Sequence, residues 1–257
     1  MFLRAEDLKL SYGVDLQIGR CYVNRMVPVE NAYWKGRHLY IPPVPGFMFM
    51  PIMSDLGRRC GIPTEDLLSE HYLAHAEFIL DSAARLEMRQ TDWNTHVQEC
   101  LDHAAEYCAQ PDLLSSLDRY LRPGSSTFGV QDGMGTPFPS LNRADTYLIS
   151  FCSIPFDGSI VPRLLEAWYA LMTYFLLQDD LSDIRQDLKN QEENALLDAG
   201  LSDAGAARIR SMIRQSQVAM EKINPVLANR IECSDQTMDI EGLIRKIREE
   251  VAGAQPS

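Results

Sequence analysis

The chain has 257 residues, 46% of them hydrophobic, and carries a formal net charge of −12. That length and apolar share allow one large domain with a sizeable core. The acidic balance argues against nucleic acid or anionic membrane as a partner, since both need basic patches. The six cysteines are widely spaced and form no CxxC, which disfavours a disulfide framework or structural zinc. It fits small buried thiols in a reducing, cytoplasmic compartment. No apolar run follows a basic start, so no signal peptide is expected. The longest apolar stretch, around 164–177, contains Glu166 and is too short to span a bilayer.

Taken in order, the hydrophobic segments are long and helical in spacing, which predicts an all-α fold in a single domain over 1–257. MFLRAEDLKL opens a short helix, while residues 16–30 read as extended, giving an irregular N-terminal arm over 1–45. YIPPVPGF at 40–47 cannot be regular helix, because three prolines fall within four positions. Just before it lie Lys35-Gly36-Arg37, a basic turn. Residues 46–60 place Phe47, Met50, Met53 and Leu56 at helical steps. Thr64, followed by Glu65 and Asp66, reads as an N-cap for a helix over about 65–89. On that helix Glu70, Glu77 and Asp81 line one face, and His71 and His75 sit at i, i+4, a spacing that can hold a metal. Residues 92–121 form a helix pair broken near Gln110-Pro111, with Asp102, His103 and Glu106 on a solvated face. The 122–142 segment, with four Gly and three Pro, cannot be helical; a loop of that length is often functional. LNRADTYLISFCSIPF at 141–156 returns to apolar helix, ending at Pro155 and Gly158.

The next helix, from near Val161, is the centre of the chain. In LLEAWYALMTYFLLQDDLSDIRQDLKNQEENALL (164–197), Trp168, Met172, Phe175, Leu176, Asp179 and Asp183 follow at three- or four-residue steps. Asp180, Asp183 and Asp187 lie on an adjacent strip. Like charges so close raise one another's pKa. A hard divalent cation relieves the conflict: Mg²⁺ takes oxygen ligands and is commonly held by one or two carboxylates plus substrate phosphates. Beyond it, Gly200 stops a helix, Ser202-Asp203 caps another to about residue 223, and Asp239 caps a last amphipathic helix before a disordered tail.

Phe175, Gln178, Asp179, Asp180 and Asp183, with the Asp187-Leu188-Lys189-Asn190 continuation, resemble the second aspartate-rich motif of the all-trans polyprenyl diphosphate synthases. The resemblance covers about twenty residues. It implies a class I isoprenoid synthase fold, an α-bundle around a deep apolar cavity. In it Asp179, Asp180 and Asp183 hold Mg²⁺, and the metal holds the diphosphate of a prenyl substrate. The helix at 65–89 stands where the family's first motif would be. It shows Asp81-Ser82-Ala83-Ala84-Arg85 instead of DDxxD, which leaves Asp81 and Glu77 as metal candidates. Arg143 stands near the family's diphosphate-binding lysine; Arg185, Lys189, Lys35 and Arg37 are further cationic candidates. Trp168, Met172 and Phe175 suit the substrate pocket and equally suit a bundle core. The resemblance also allows a homodimer.

Three functions follow. The first is a Mg²⁺-dependent synthase ionising an allylic prenyl diphosphate, for chain elongation or terpene formation. The second is a catalytically diverged relative acting as a partner or regulatory subunit. The third is a di-metal carboxylate bundle using Glu70, His71, His75, Glu77, Asp102 and His103, which lacks the paired Glu-x-x-His signature.

Overall fold

The structure is a computed structural model that describes residues 4–26, 28–29, 31, 49–122 and 133–253. The arm's Lys35 and Arg37, the 40–47 proline segment, residues 123–132 of the 122–142 loop and the last four residues lie outside them. All regular elements among the described residues are helical. They are α1 (Ala5–Tyr12), α2 (Leu16–Asn24), α3 (Phe49–Cys60), α4 (Thr64–Leu67), α5 (Glu70–Glu87), α6 (Trp93–Ala105), α7 (Pro111–Leu121), α8 (Val161–Asn190), α9 (Ala195–Ala199), α10 (Asp203–Glu221), α11 (Pro225–Thr237) and α12 (Ile240–Gly253). The chain's contacts group into two compact units, residues 1–127 with 145–165, and residues 128–144 with 166–257. The last of the three boundaries, at 165/166, falls inside α8, so no linker composition marks it.

The first unit holds α1 to α7. Within the arm, residues 5–12 and 16–24 form two helices. Asp15 caps α2 by accepting from Gln17 N at 2.7 Å, and Gly19 lets α1 approach, since a Cβ there would stand 3.2 Å from that of Ala5. The expected helix over 65–89 is two. Pro63 rather than Thr64 is the first N-cap, and the chain restarts at Ser69, whose hydroxyl accepts from Tyr72 N at 3.2 Å. Asp92 caps α6 and Pro111 opens α7, as their sequence signals predict.

The largest departure is at 141–156. Instead of an α-helix the chain forms 3₁₀ turns at Pro139–Asn142 and Asp145–Ser153, the second longer than most such runs. Hydroxyls compete for its carbonyls: Ser150 Oγ donates to Tyr147 O and Ser153 Oγ to Ser150 O, each at 2.8 Å. Leu148, Ile149, Phe151 and Cys152 are buried, and the segment packs against α5, α6 and α7. It is the core of the first unit.

The second unit holds α8 from residue 166 on, with α9 to α12. α11, which the sequence reading passed over, begins with an Asn224 cap and Pro225 and packs along α10. Arg210 on α10 reaches Asp235 of α11 and Glu241 of α12 at 2.5 and 2.8 Å. By length and composition alone, the stretch 158–190 is apolar enough to cross a membrane, but 56% of its apolar window is buried inside the fold. That is weak evidence for a membrane segment.

Candidate functional site

The acidic end of α8 is where the strongest sequence signal and a geometrical cluster coincide. Asp180 is 2% exposed, whereas Asp179 and Asp183 are exposed. One helical step therefore turns the first carboxylate of the motif outward and the second inward.

Arg143 joins them. It leaves the 139–142 turn, where its Nη1 donates to Ser140 O at 2.8 Å. Its Nη2 stands 3.1 Å from Asp179 Oδ2 and 2.9 Å from Asp180 Oδ1. The turn is itself pinned. Asn142 Oδ1 accepts from Thr136 N at 2.8 Å, and Ser140 N donates to Asp198 Oδ2 at 2.8 Å. The cation singled out in the sequence thus meets the aspartate pair from 36 residues away.

Asp180 has a second anchor, the backbone N–H of Ala195 at 2.7 Å. Burial nevertheless raises its pKa to about 6, against the opposing effects of Arg143 and the Ala195 N–H, with Asp179 adding to the rise. Partial burial also raises Glu193, on the turn that follows α8; Arg143 opposes the rise and Asp198 adds to it.

The donor set suits a hard cation in part. Asp180 is buried between Arg143 and Ala195; Asp179 shares that guanidinium through one oxygen but is exposed, and it and Asp183, four residues apart, are the carboxylates open to one. Among the described residues no three His, Cys, Asp or Glu side chains converge as a ready cage. Two carboxylates completed by water and phosphate oxygens is the arrangement Mg²⁺ commonly takes.

The other candidates are placed as follows. Arg185 turns to Glu250 of α12, with Nη2 at 2.8 Å from its carboxylate, and Lys189 is exposed in the last turn of α8. Trp168 and Met172 are packed in the core at 0% and 1% exposure and line neither of two cavities found among the described residues of the second unit. The larger, a cleft of about 270 Å³, is bordered by Glu166, Tyr169 and Thr173 of α8 and by Met212 and Gln215 of α10. Phe175 is half-buried, edge-on to Tyr174 at 5.0 Å.

In the first unit the carboxylates have other partners. Glu77 is gripped by Arg25 at 2.6 and 2.8 Å, and the same guanidinium takes both oxygens of Glu70 at 2.7 and 2.8 Å. Asp81 lies 3.5 Å from Arg85, which bonds Glu99 at 2.7 Å. The acidic stripe foreseen on this helix is held by arginines. His75 Nδ1 meets His103 Nδ1 at 2.6 Å, and His71 packs edge-on to Tyr107, so the histidines close on each other and on an aromatic ring. Asp102 accepts from Gln98 at 2.6 Å.

Sequence reading missed Asn194, whose side chain bonds Asp180 O, Asp187 and Leu196 N. An Asn just before the apolar run Ala195-Leu196-Leu197 is a readable N-cap signal. Comparison with family models, with characterised proteins and with solved structures gives no match. The isoprenoid resemblance therefore rests on residues 175–190.

Proposed function

We propose that the acidic end of α8, with Arg143, is the diphosphate site of a Mg²⁺-dependent class I isoprenoid synthase acting on an allylic prenyl diphosphate. The observation that carries this reading is the convergence of Arg143 on Asp179 and Asp180. A guanidinium beside exposed carboxylates offers the mixed charge that a metal-diphosphate group requires.

Each side chain has a distinct task. Asp179 and Asp183 would hold the metal. Bound Mg²⁺ supplies the positive charge that stabilises the departing diphosphate. Asp180 holds Arg143 toward that end of the helix, and Arg143 donates N–H groups to phosphate oxygens. The apolar part of the substrate lies away from this charged end, where a dry surface protects the allylic cation from water. Capture by isopentenyl diphosphate gives elongation; capture by an internal double bond gives a terpene.

A second reading, a diverged relative acting as a partner subunit, is favoured by the arginine clamp on Glu77. One assay separates the two. Pyrophosphate release is followed with geranyl, farnesyl and geranylgeranyl diphosphate, with Mg²⁺, with and without isopentenyl diphosphate. Metal-dependent release supports the synthase, and a need for isopentenyl diphosphate assigns elongation. A folded protein that releases none counts against the synthase and turns the search toward a partner chain.

A further inference from the structure

We infer that Asn194 is the positioning residue of the aspartate site, an inference that rests on the metal-diphosphate reading above. The chain leaves α8 through Gln191, whose φ of 58° is left-handed, and Glu192 N folds back onto Asp187 O at 2.9 Å. This turn delivers Asn194, 1% exposed, against the side of the helix it has just left.

Asn194 uses its whole amide. Oδ1 accepts from Leu196 N at 2.9 Å, and Nδ2 donates to Asp180 O at 2.7 Å and to Asp187 Oδ2 at 2.8 Å. Capping α9 requires only the acceptor, which Ser, Thr or Asp would provide equally well. The two donated bonds require an amide, because a carboxylate has no N–H and would repel Asp187. The next residue, Ala195, grips the Asp180 carboxylate at 2.7 Å.

Asp180 is thus held at its main-chain carbonyl and at its carboxylate by two consecutive residues. That fixes the rotational phase of the helix, with Asp180 inward and Asp179 and Asp183 outward. The bond to Asp187 also stabilises a carboxylate one turn beyond Asp183, which eases the like-charge crowding there. Asn194 touches neither Asp179 nor Asp183 and acts on them through the helix; groups that orient metal ligands from outside typically change metal affinity 10- to 100-fold.

The test separates capping from positioning. Mn²⁺ binding to the full chain is followed by the loss of the free-ion EPR signal, with Mg²⁺ as competitor. Asn194→Ser and Asn194→Asp, which keep the cap, are compared with the natural protein, and circular dichroism confirms folding. The expected result is saturable Mn²⁺ binding by the natural protein, weakened about 10-fold or more in both variants. Equal affinity in a folded Asn194→Ser protein overturns the positioning role and leaves the site standing. Absence of Mn²⁺ binding in the natural protein overturns the site and the positioning role together.

Discussion

Arg25 in the first unit and Arg143 in the second each draw two carboxylates together, and they do so differently. Arg25 spends its whole fork: Nε and Nη2 on Glu77, Nη1 and Nη2 on Glu70. Glu77's side chain is 2% exposed. Glu70's is 78% exposed, but both its oxygens already accept from the guanidinium, which those two carboxylates hold more basic than an ordinary arginine. Arg143 reaches its pair through Nη2 alone, spends Nη1 on a backbone carbonyl, and leaves the side chain of Asp179 59% exposed. A cluster whose four carboxylate oxygens are all bonded to one guanidinium stabilises a fold; a pair bonded through one oxygen each keeps lone pairs for another partner. The contrast teaches that counting acids along a helix face does not locate a site, because the arginine supplied by a distant segment decides which acids stay open.

The largest expected effect that tests this contrast comes from Arg25→Ala. Glu77 would stay buried and lose the bidentate guanidinium that neutralises it, at a cost of about 3–5 kcal/mol, measured by urea unfolding. A loss below about 1 kcal/mol would break the structural assignment of that cluster.

Acid should separate the two units next. In the first, burial lowers His75 to a pKa of about 3 and His96 to about 4. Both are neutral in the fold and gain a proton on unfolding below about 6.5. Their contribution is whole above that value and is lost as pH falls toward 4, about 2–3 kcal/mol per histidine. Asp180 runs the other way. Its folded pKa is raised from 3.8 to about 6, so its ionisation costs stability above pH 6, and acidification relieves that cost. Amide exchange, corrected for intrinsic rates, should show α5 and α6 loosening between pH 6.5 and 4.5 before the second unit does.

Asp180→Ala should cost about 1–3 kcal/mol by leaving the Ala195 N–H without its acceptor. Asp179→Asn and Asp183→Asn should change stability by less than about 0.5 kcal/mol, while removing Mg²⁺-dependent chemistry. Asp183→Asn destabilising the fold as much as Asp180→Ala would erase the inward-outward distinction. The smallest effect is expected from Arg185→Ala: its pair with Glu250 is exposed on both sides, so the melting midpoint should not move measurably.

The helical class, the start of α8 at Val161, and the Asp92, Ser202 and Asp239 caps were legible because each rests on local chemistry: periodicity, capping side chains and Pro or Gly stops. Arg143 was legible as a cation at the right place before the motif. The 3₁₀ run at 145–153 was not, because apolar periodicity does not reveal that Ser150 and Ser153 will compete for backbone carbonyls. The fate of Glu77 was not legible either. Its partner Arg25 stands 52 residues away on a segment read as an extended arm, and no spacing rule links them. The core was the preferred reading for most of the α8 aromatics, and Trp168 is buried there, but aromatic residues at helical steps suit a pocket wall as well, so spacing alone does not decide it.

The most direct measurement is Mg²⁺-dependent pyrophosphate release from an allylic prenyl diphosphate by the natural protein, Asp179→Asn and Asp81→Asn, side by side. The account predicts release by the natural protein, its loss in Asp179→Asn and its retention in Asp81→Asn, whose side chain already faces Arg85. Release that survives Asp179→Asn and disappears in Asp81→Asn would contradict it and move the chemistry to the first unit.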